Sequence, residues 1–438
     1  MHLKLHIQIL DEDILGVHSM FKTTLLPNGL RILTSVMPST RSASIGLFVQ
    51  AGSRYESDPE GGTFHFIEHL LFKGTSRYET SREISEAVES VGGMLNASTD
   101  QELTVYWSKV PHFHLNDTIK LLGDMLQTPK FRPDDIEKER GVILEELAMS
   151  NDDPDDRAGI LIDQVMWPNQ PLGRDIGGTP DSVRSISRDT LLRHFDRHYH
   201  ASNTVVAIAG QFEHDTILDL INRELGSWDS GNAVPYPPAD DDQEAAHVLV
   251  EFRKTDQAHV CLGLRGLSST DPQRYTLDLL NAILGQGASS RLFMEIREKR
   301  GLAYAINSGT SHFSDTGALV VYFAVHPNNA IPALEATVAE LYRLVSDLPE
   351  EDVEKAKNMI KGRLHLRMED TRSVAFWGGT QQSLLNHVFS VEDITDKIDA
   401  ITAEDIRSLA ASLVSPDKMN IAVVGPYSTD AEFHRVLR

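Results

Sequence analysis

Two periods organise the chain. Runs such as "SASIGLFVQAG", "LTVYWSKV", "HVCLGLRG" and "GALVVYFAV" are alternating or continuously apolar over strand length, the pattern of half-buried or fully buried strands. Between them, "SREISEAVESVG", "FHLNDTIKLLGDMLQ" and "AIPALEATVAELYRLVSDL" place apolar residues three and four apart, which predicts amphipathic helices. Strands often follow one another with no intervening helix, so the pattern predicts an α+β fold with mostly antiparallel sheets rather than a doubly wound parallel one. "MFKTTLLPNGLRIL" reads as strand, Pro-Asn-Gly turn, strand, beginning at Met20.

The pattern also repeats. "VRSISRDTLLRHF" followed by "NTVVAIAGQF" matches "IDAITAEDIRSLA" followed by "MNIAVVGPY": Gly210 and Gly425 stand 215 positions apart, as do Ile186 and Ile401. Each copy has a hydroxyl N-cap candidate, Ser187 or Thr402, before acidic first-turn residues. A fixed offset of this size signals internal duplication. Residues 227–246, "SWDSGNAVPYPPADDDQEAA", lack apolar periodicity and read as a linker. The expected organisation is an arm over 1–19, one domain over 20–226, the linker, and a homologous domain over 247–438.

Composition narrows the function classes. Of 438 residues, 41% are hydrophobic and 24% charged, an ordinary soluble globular balance. The net charge of −23 argues against nucleic acid or an anionic membrane surface as the partner and favours basic ligands. Cys261 is the single cysteine and sits in an apolar run, so neither a disulfide framework nor a thiolate metal cluster is available. No apolar stretch has the length of a membrane span, and residues 1–19 fit neither a secretory signal nor a transit peptide; a cytoplasmic location and a start at either Met1 or Met20 are the expectations.

The chemistry concentrates in "GGTFHFIEHLLFKGT". On a helix, His65, Glu68 and His69 share one face. Two imidazoles beside a carboxylate suit a zinc ion, and a catalytic zinc takes three protein ligands with a position left for water. Downstream, "DDIEKERGVILEELAMS" reads as a helix carrying Glu139 and Glu146 two turns apart on one face, and either has the reach to complete the set. Two other segments invite metal or nucleotide readings. "HFDRHYH", with His194, His198 and His200, occupies the slot that the second copy fills with "LAASLVS" and reads as structural. "LGQGASSR" lacks the Gly-Lys-Ser/Thr ending of a phosphate loop; Gly285 and Gly287 there permit a sharp turn or close approach to a peptide.

Together, "GGTFHFIEHLLFKGTSRYE", "VGGMLNASTDQELTVYW", "IEKERGVILEEL" and "PLGRDIGGT" resemble the inverted-zincin M16 metallopeptidases, the family of mitochondrial processing peptidase, pitrilysin and insulin-degrading enzyme. The likeness runs from about residue 20 to the end and is strongest to the short processing-peptidase-like branch. It implies a clamshell of two homologous domains, one Zn2+ held by His65, His69 and Glu146, Glu68 as general base, and Glu139 as an acid supporting the metal site. In the second half, "ASSRLFMEIREKRGLAYAINSGTS" resembles the substrate motif in which Arg297 and Tyr304 hold the scissile carbonyl. "MLNAST" matches the strand to which substrates add, with Asn96 and Ala97 as contacts. The implied activity is endopeptidase cleavage of unfolded, presequence-like peptides by a homodimer. A catalytically silent scaffold of the same fold, or a peptide-binding module with a structural zinc, are the alternatives from other classes.

Overall fold

The computed structural model describes residues 8–9 and 20–437. Apart from Gln8–Ile9, the expected N-terminal arm lies outside them, and with it the choice between Met1 and Met20. The strands are β1 (Gln8–Ile9), β2 (Lys22–Leu25), β3 (Arg31–Val36), β4 (Ser42–Val49), β5 (Met94–Thr99), β6 (Thr104–Pro111), β7 (Thr204–Gly210), β8 (His247–Phe252), β9 (Ala258–Arg265), β10 (Ala303–His312), β11 (Gly317–Val325) and β12 (Met419–Gly425). The helices that bear on the site are α1 (Thr63–Leu71), α2 (Pro133–Asp152), α3 (Pro154–Met166), α4 (Arg188–His198), α5 (Arg274–Gly285), α6 (Thr371–Leu385) and α7 (Ala403–Leu413).

The fold is α+β. One sheet runs β1-β2-β3-β7-β4-β6-β5 and the other β10-β11-β9-β12-β8. All neighbours are antiparallel except β3 with β7 and β8 with β12. Read from the parallel pair outward, the orders β3-β7-β4-β6-β5 and β8-β12-β9-β11-β10 are the same topology built twice. The 215-residue repeat is therefore structural: α4 leads into β7 and α7 into β12, with Ser187 and Thr402 accepting from Thr190 N and Asp405 N as N-caps.

In the first sheet, successive side chains of a strand enter different cores, because a strand presents alternate residues to opposite faces. Ile45, Leu47 and Val49 of β4 pack with Phe64 and Ile67 of α1, whereas Phe48 packs with Val374 and Ala375 of α6. That double burial explains why "SASIGLFV" is apolar almost throughout.

The compact units do not follow the contiguous halves. The first comprises 1–147, 175–237 and 365–390, and the second 148–174, 238–364 and 391–438. Helices α3 and α6, each of which follows the long helix Pro133–Asp152 or Glu350–Arg367 at corresponding places in the two repeats, are exchanged. From the second half, α6 covers β3, β4 and β7; from the first, α3 covers β8, β9 and β12. Ala158, Leu161, Ile162 and Met166 of α3 bury against Cys261, Ala422 and Val424. Cys261 is buried and its thiol pKa is raised by desolvation, consistent with a structural thiol. For α6, Thr371 Oγ1 lies 2.8 Å from Ser44 Oγ and Asp370 pairs with Lys109. Among the described residues no helix is long and apolar enough to cross a membrane.

Candidate metal centre

Helix α1 starts without a side-chain cap of its own. Glu56 supplies one, its two carboxylate oxygens accepting from Gly62 N at 2.8 Å and Phe64 N at 2.7 Å; a carboxylate at a helix N-terminus satisfies otherwise unpaired donors and faces the positive end of the dipole. Gly62 has φ +91°, and a Cβ there would stand 2.4 Å from Gly177 O; a Cβ on Gly178, φ +80°, would stand 2.2 Å from Gly61 O. The two Gly-Gly pairs, one before α1 and one in "DIGGT", dock backbone to backbone as only glycine permits. Phe64, Phe66, Ile67, Leu70 and Leu71 are buried, which turns His65, Glu68 and His69 to the half-buried face.

Helix α2 buries Ile136, Glu139 and Ile143, and this stripe delivers Glu146 to the same place. His65 Nε2 and His69 Nε2 are 3.3 Å apart, and Glu146 Oε2 lies 3.5 Å from His69 Nε2 and 3.8 Å from His65 Nε2. Tetrahedral donors at zinc bond lengths of about 2.0–2.2 Å stand about 3.3–3.6 Å from one another. Two of the three separations fall in that range and the third is 0.2 Å longer, so the trio would hold a zinc ion as three of its ligands. Among the described residues these three form the only cluster of three or more His, Cys, Asp or Glu side chains able to hold a metal. Glu145, the neighbour that a one-residue slip would select, is exposed and outside the cluster.

The surroundings suit ligand function. Burial, with His69 nearby, lowers the His65 pKa to about 4, so the imidazole stays neutral and keeps a lone pair. Its buried Nδ1 has no hydrogen-bond partner among the described residues. His69 Nδ1 lies 3.2 Å from Glu139 Oε2, which fixes the proton on Nδ1 and frees Nε2. Glu139 is itself held by Lys73, 2.6 Å from Oε1. Glu68 stands outside the donor set, its Oε2 accepting from Thr99 Oγ1 at 2.6 Å. Burial raises the Glu68 carboxyl above its ordinary value, opposed by the Thr99 hydrogen bonds and His69.

Asn96 and Ala97 lie on β5, an edge of the first sheet, where Met94, Asn96 and Ser98 are exposed and Leu95, Ala97 and Thr99 half-buried. Arg297 and Tyr304 belong to the second unit and are brought together there. Arg297 lies in a π-helical segment, Phe293–Lys299. Its Nη1 donates to Tyr304 O at 2.7 Å and its guanidinium sits over the Phe293 and Tyr304 rings. The Tyr304 side chain stays 77% exposed.

His194, His198 and His200 are buried and form no metal cluster; His194 pairs with Glu60, and His198 packs its ring on Phe64. Gly285 serves close approach to β10, since a Cβ would meet Ser308 Oγ at 2.2 Å, and Gly287 adopts φ +90°. Sequence reading missed Lys73 and Thr99. Both stand inside strings that carried signal, Lys73 one turn beyond His69 and Thr99 closing "MLNAST".

Residues 31–180 match the family described as insulinase (peptidase family M16), and residues 185–360 match the peptidase M16 inactive domain. The chain belongs to the M16 peptidase family. An uncharacterized zinc protease of Streptomyces coelicolor is 36% identical over 94% of this M16 chain and 90% of its own length. The uncharacterized zinc protease YmxG of Bacillus subtilis is 33% identical over 93% and 98%. A crystallised protease from Helicobacter pylori shares the fold, with TM-score 0.88 at 21% identity over 93% of this chain and 99% of that one.

Proposed function

We propose that this chain is a zinc-dependent endopeptidase that cleaves extended, unfolded peptides. The observation that carries the reading is the convergence of His65, His69 and Glu146 at or near tetrahedral donor spacing with Glu68 on the same helix face but outside the donor set. Zinc-protease names among relatives support the same metal. When bound, Zn2+ supplies Lewis acidity, polarising a carbonyl and acidifying water.

The remaining steps belong to the chain. Glu68 takes the proton from the attacking water and returns it to the leaving amine, a task suited to a carboxyl raised by burial. The free edge of β5 pairs with substrate backbone past Asn96 and Ala97, giving affinity with limited sequence preference. Arg297 and Tyr304 donate to the peptide carbonyl as charge develops on its oxygen. The net charge of −23 favours basic peptides. A homodimer in the cytoplasm completes the proposal; light scattering that finds an active monomer would remove the dimer.

The decisive assay is cleavage of a quenched fluorescent basic peptide of about 15–25 residues, a length suited to strand-like binding. Activity is expected to vanish with chelator, return with zinc, and be absent in Glu68→Gln while zinc stays bound. Turnover by Glu68→Gln at the wild-type rate refutes the base assignment.

A further inference from the structure

We infer that Thr99 is a positioning residue for Glu68, holding the base from the strand that would also hold the substrate. The inference rests on the peptidase reading above and adds a residue to it.

Thr99 closes β5, on the same side of the strand as Leu95 and Ala97, while Asn96 and Ser98 face outward. Its Oγ1 lies 2.6 Å from Glu68 Oε2. An ionised carboxylate only accepts, so the threonine hydroxyl donates. The direction is reinforced by Thr104, opposite Thr99 in the ladder. Thr104 Oγ1 donates to Ala51 O at 2.9 Å and lies 3.4 Å from Thr99 Oγ1, so among the described residues Glu68 is the short acceptor for the Thr99 proton. Threonine is β-branched and stiff at χ1, and ladder pairing fixes its backbone. The donor is therefore held by a rigid element, and one oxygen of Glu68 is held with it. The Thr99 backbone also acts on the Glu68 carboxylate, and a side-chain substitution leaves that contact in place, so the variants below read the hydroxyl's share alone.

The second half carries strand-to-helix hydroxyl contacts of its own. Ser308 of β10 donates to Asn281 Oδ1 of α5 at 2.5 Å. Thr310 of β10 likewise donates to Asp278 Oδ1 of α5 at 2.9 Å, so a hydroxyl on the edge strand meets the adjacent helix in both repeats, and in the first the acceptor is the acid that stands between the two histidines. Two roles for Thr99 follow, a packing tether or an aimed base, and they make opposite predictions for two substitutions. Thr99→Val keeps the branched shape and removes the hydroxyl. Thr99→Ser keeps the hydroxyl and removes the methyl.

The test measures kcat, KM and bound zinc for wild type, Thr99→Val and Thr99→Ser on the basic peptide, with thermal midpoints for Thr99→Val, Glu68→Gln and the double variant. Positioning predicts that Thr99→Val loses about 10–100-fold in kcat with KM within about twofold and zinc retained, since small misplacement of a reacting group has that cost. Thr99→Ser stays within about threefold. The double variant's midpoint departs from the sum of the single shifts, as contacting groups do. Wild-type kcat in Thr99→Val, or an equal loss in Thr99→Ser, overturns the inference. A zinc-loaded wild type that cleaves nothing overturns the peptidase reading and the positioning role with it; the midpoints show whether the Thr99–Glu68 contact itself survives that failure.

Discussion

Replacing Glu139 by Gln tests how the centre is held together. Glu139 is buried, and its two oxygens are divided between two donors: Oε1 receives Lys73 Nζ at 2.6 Å and Oε2 faces His69 Nδ1 at 3.2 Å. A carboxamide has the same shape but one acceptor oxygen, so Lys73 or His69 must face an NH2 group instead. A hydrogen bond to a charged partner contributes about 1.5–3 kcal/mol and a neutral one about 0.5–1.5 kcal/mol, so the loss at His69 is about 1–2 kcal/mol. At 1.4 kcal/mol per decade this weakens zinc binding about 5–30-fold, in the range known for groups that orient metal-bound histidines. Competition against a chelating dye measures the zinc Kd directly, without reference to turnover. A Kd within twofold of wild type refutes the claim that Glu139 sets the His69 tautomer. A lowered apo-protein midpoint with unchanged Kd gives Glu139 a folding role only.

Other expectations follow from the same geometry. Gly379→Ala drives a Cβ to 2.1 Å from the buried Phe48 ring and should lower stability by about 1–3 kcal/mol, whereas Gly362→Ala, with nothing within 4 Å, should raise it by up to about 1 kcal/mol through helix propensity; thermal midpoints that move together reject the close packing of α6. Tyr304→Phe removes the exposed phenol donor and should cost about 10–100-fold in kcat/KM with zinc content unchanged; unaltered kinetics remove Tyr304 from the substrate site. Burial holds His198 down to about 3. Its folded pKa lies below the unfolded value of about 6.5, so its contribution is fully present above about pH 6.5 and is lost as pH falls toward 3. His198→Gln should therefore show a smaller drop in thermal midpoint between pH 7 and pH 5 than wild type, and parallel drops contradict a neutral buried imidazole.

Whatever depends on short-range periodicity was legible along the chain. The 3.6-residue period put His65, Glu68 and His69 on one face of α1, opposite Phe64, Phe66 and Ile67, because the buried stripe leaves a single face for polar groups. The 215-residue repeat predicted two sheets of one topology, and the order of strands reproduces it. The seven-residue spacing of Glu139 and Glu146 placed both on one face, but spacing alone left open which acid joins the histidines. That choice is tertiary: the packing of α2 through Ile136 and Ile143 carries Glu146 to the Nε2 atoms and Glu139 to the Nδ1 side of His69. Lys73 and Thr99 gained their partners the same way, through contacts across 66 and 31 positions that no local pattern encodes. The exchange of α3 and α6 is the largest feature decided only in three dimensions. Each helix has an apolar stripe suited to covering a sheet, and the two sheets share a topology. Which sheet each covers depends on matched surfaces, such as Gly378 and Gly379 against the rings of Phe21 and Phe48, and side-chain complementarity of that kind is a property of packed surfaces rather than of sequence period.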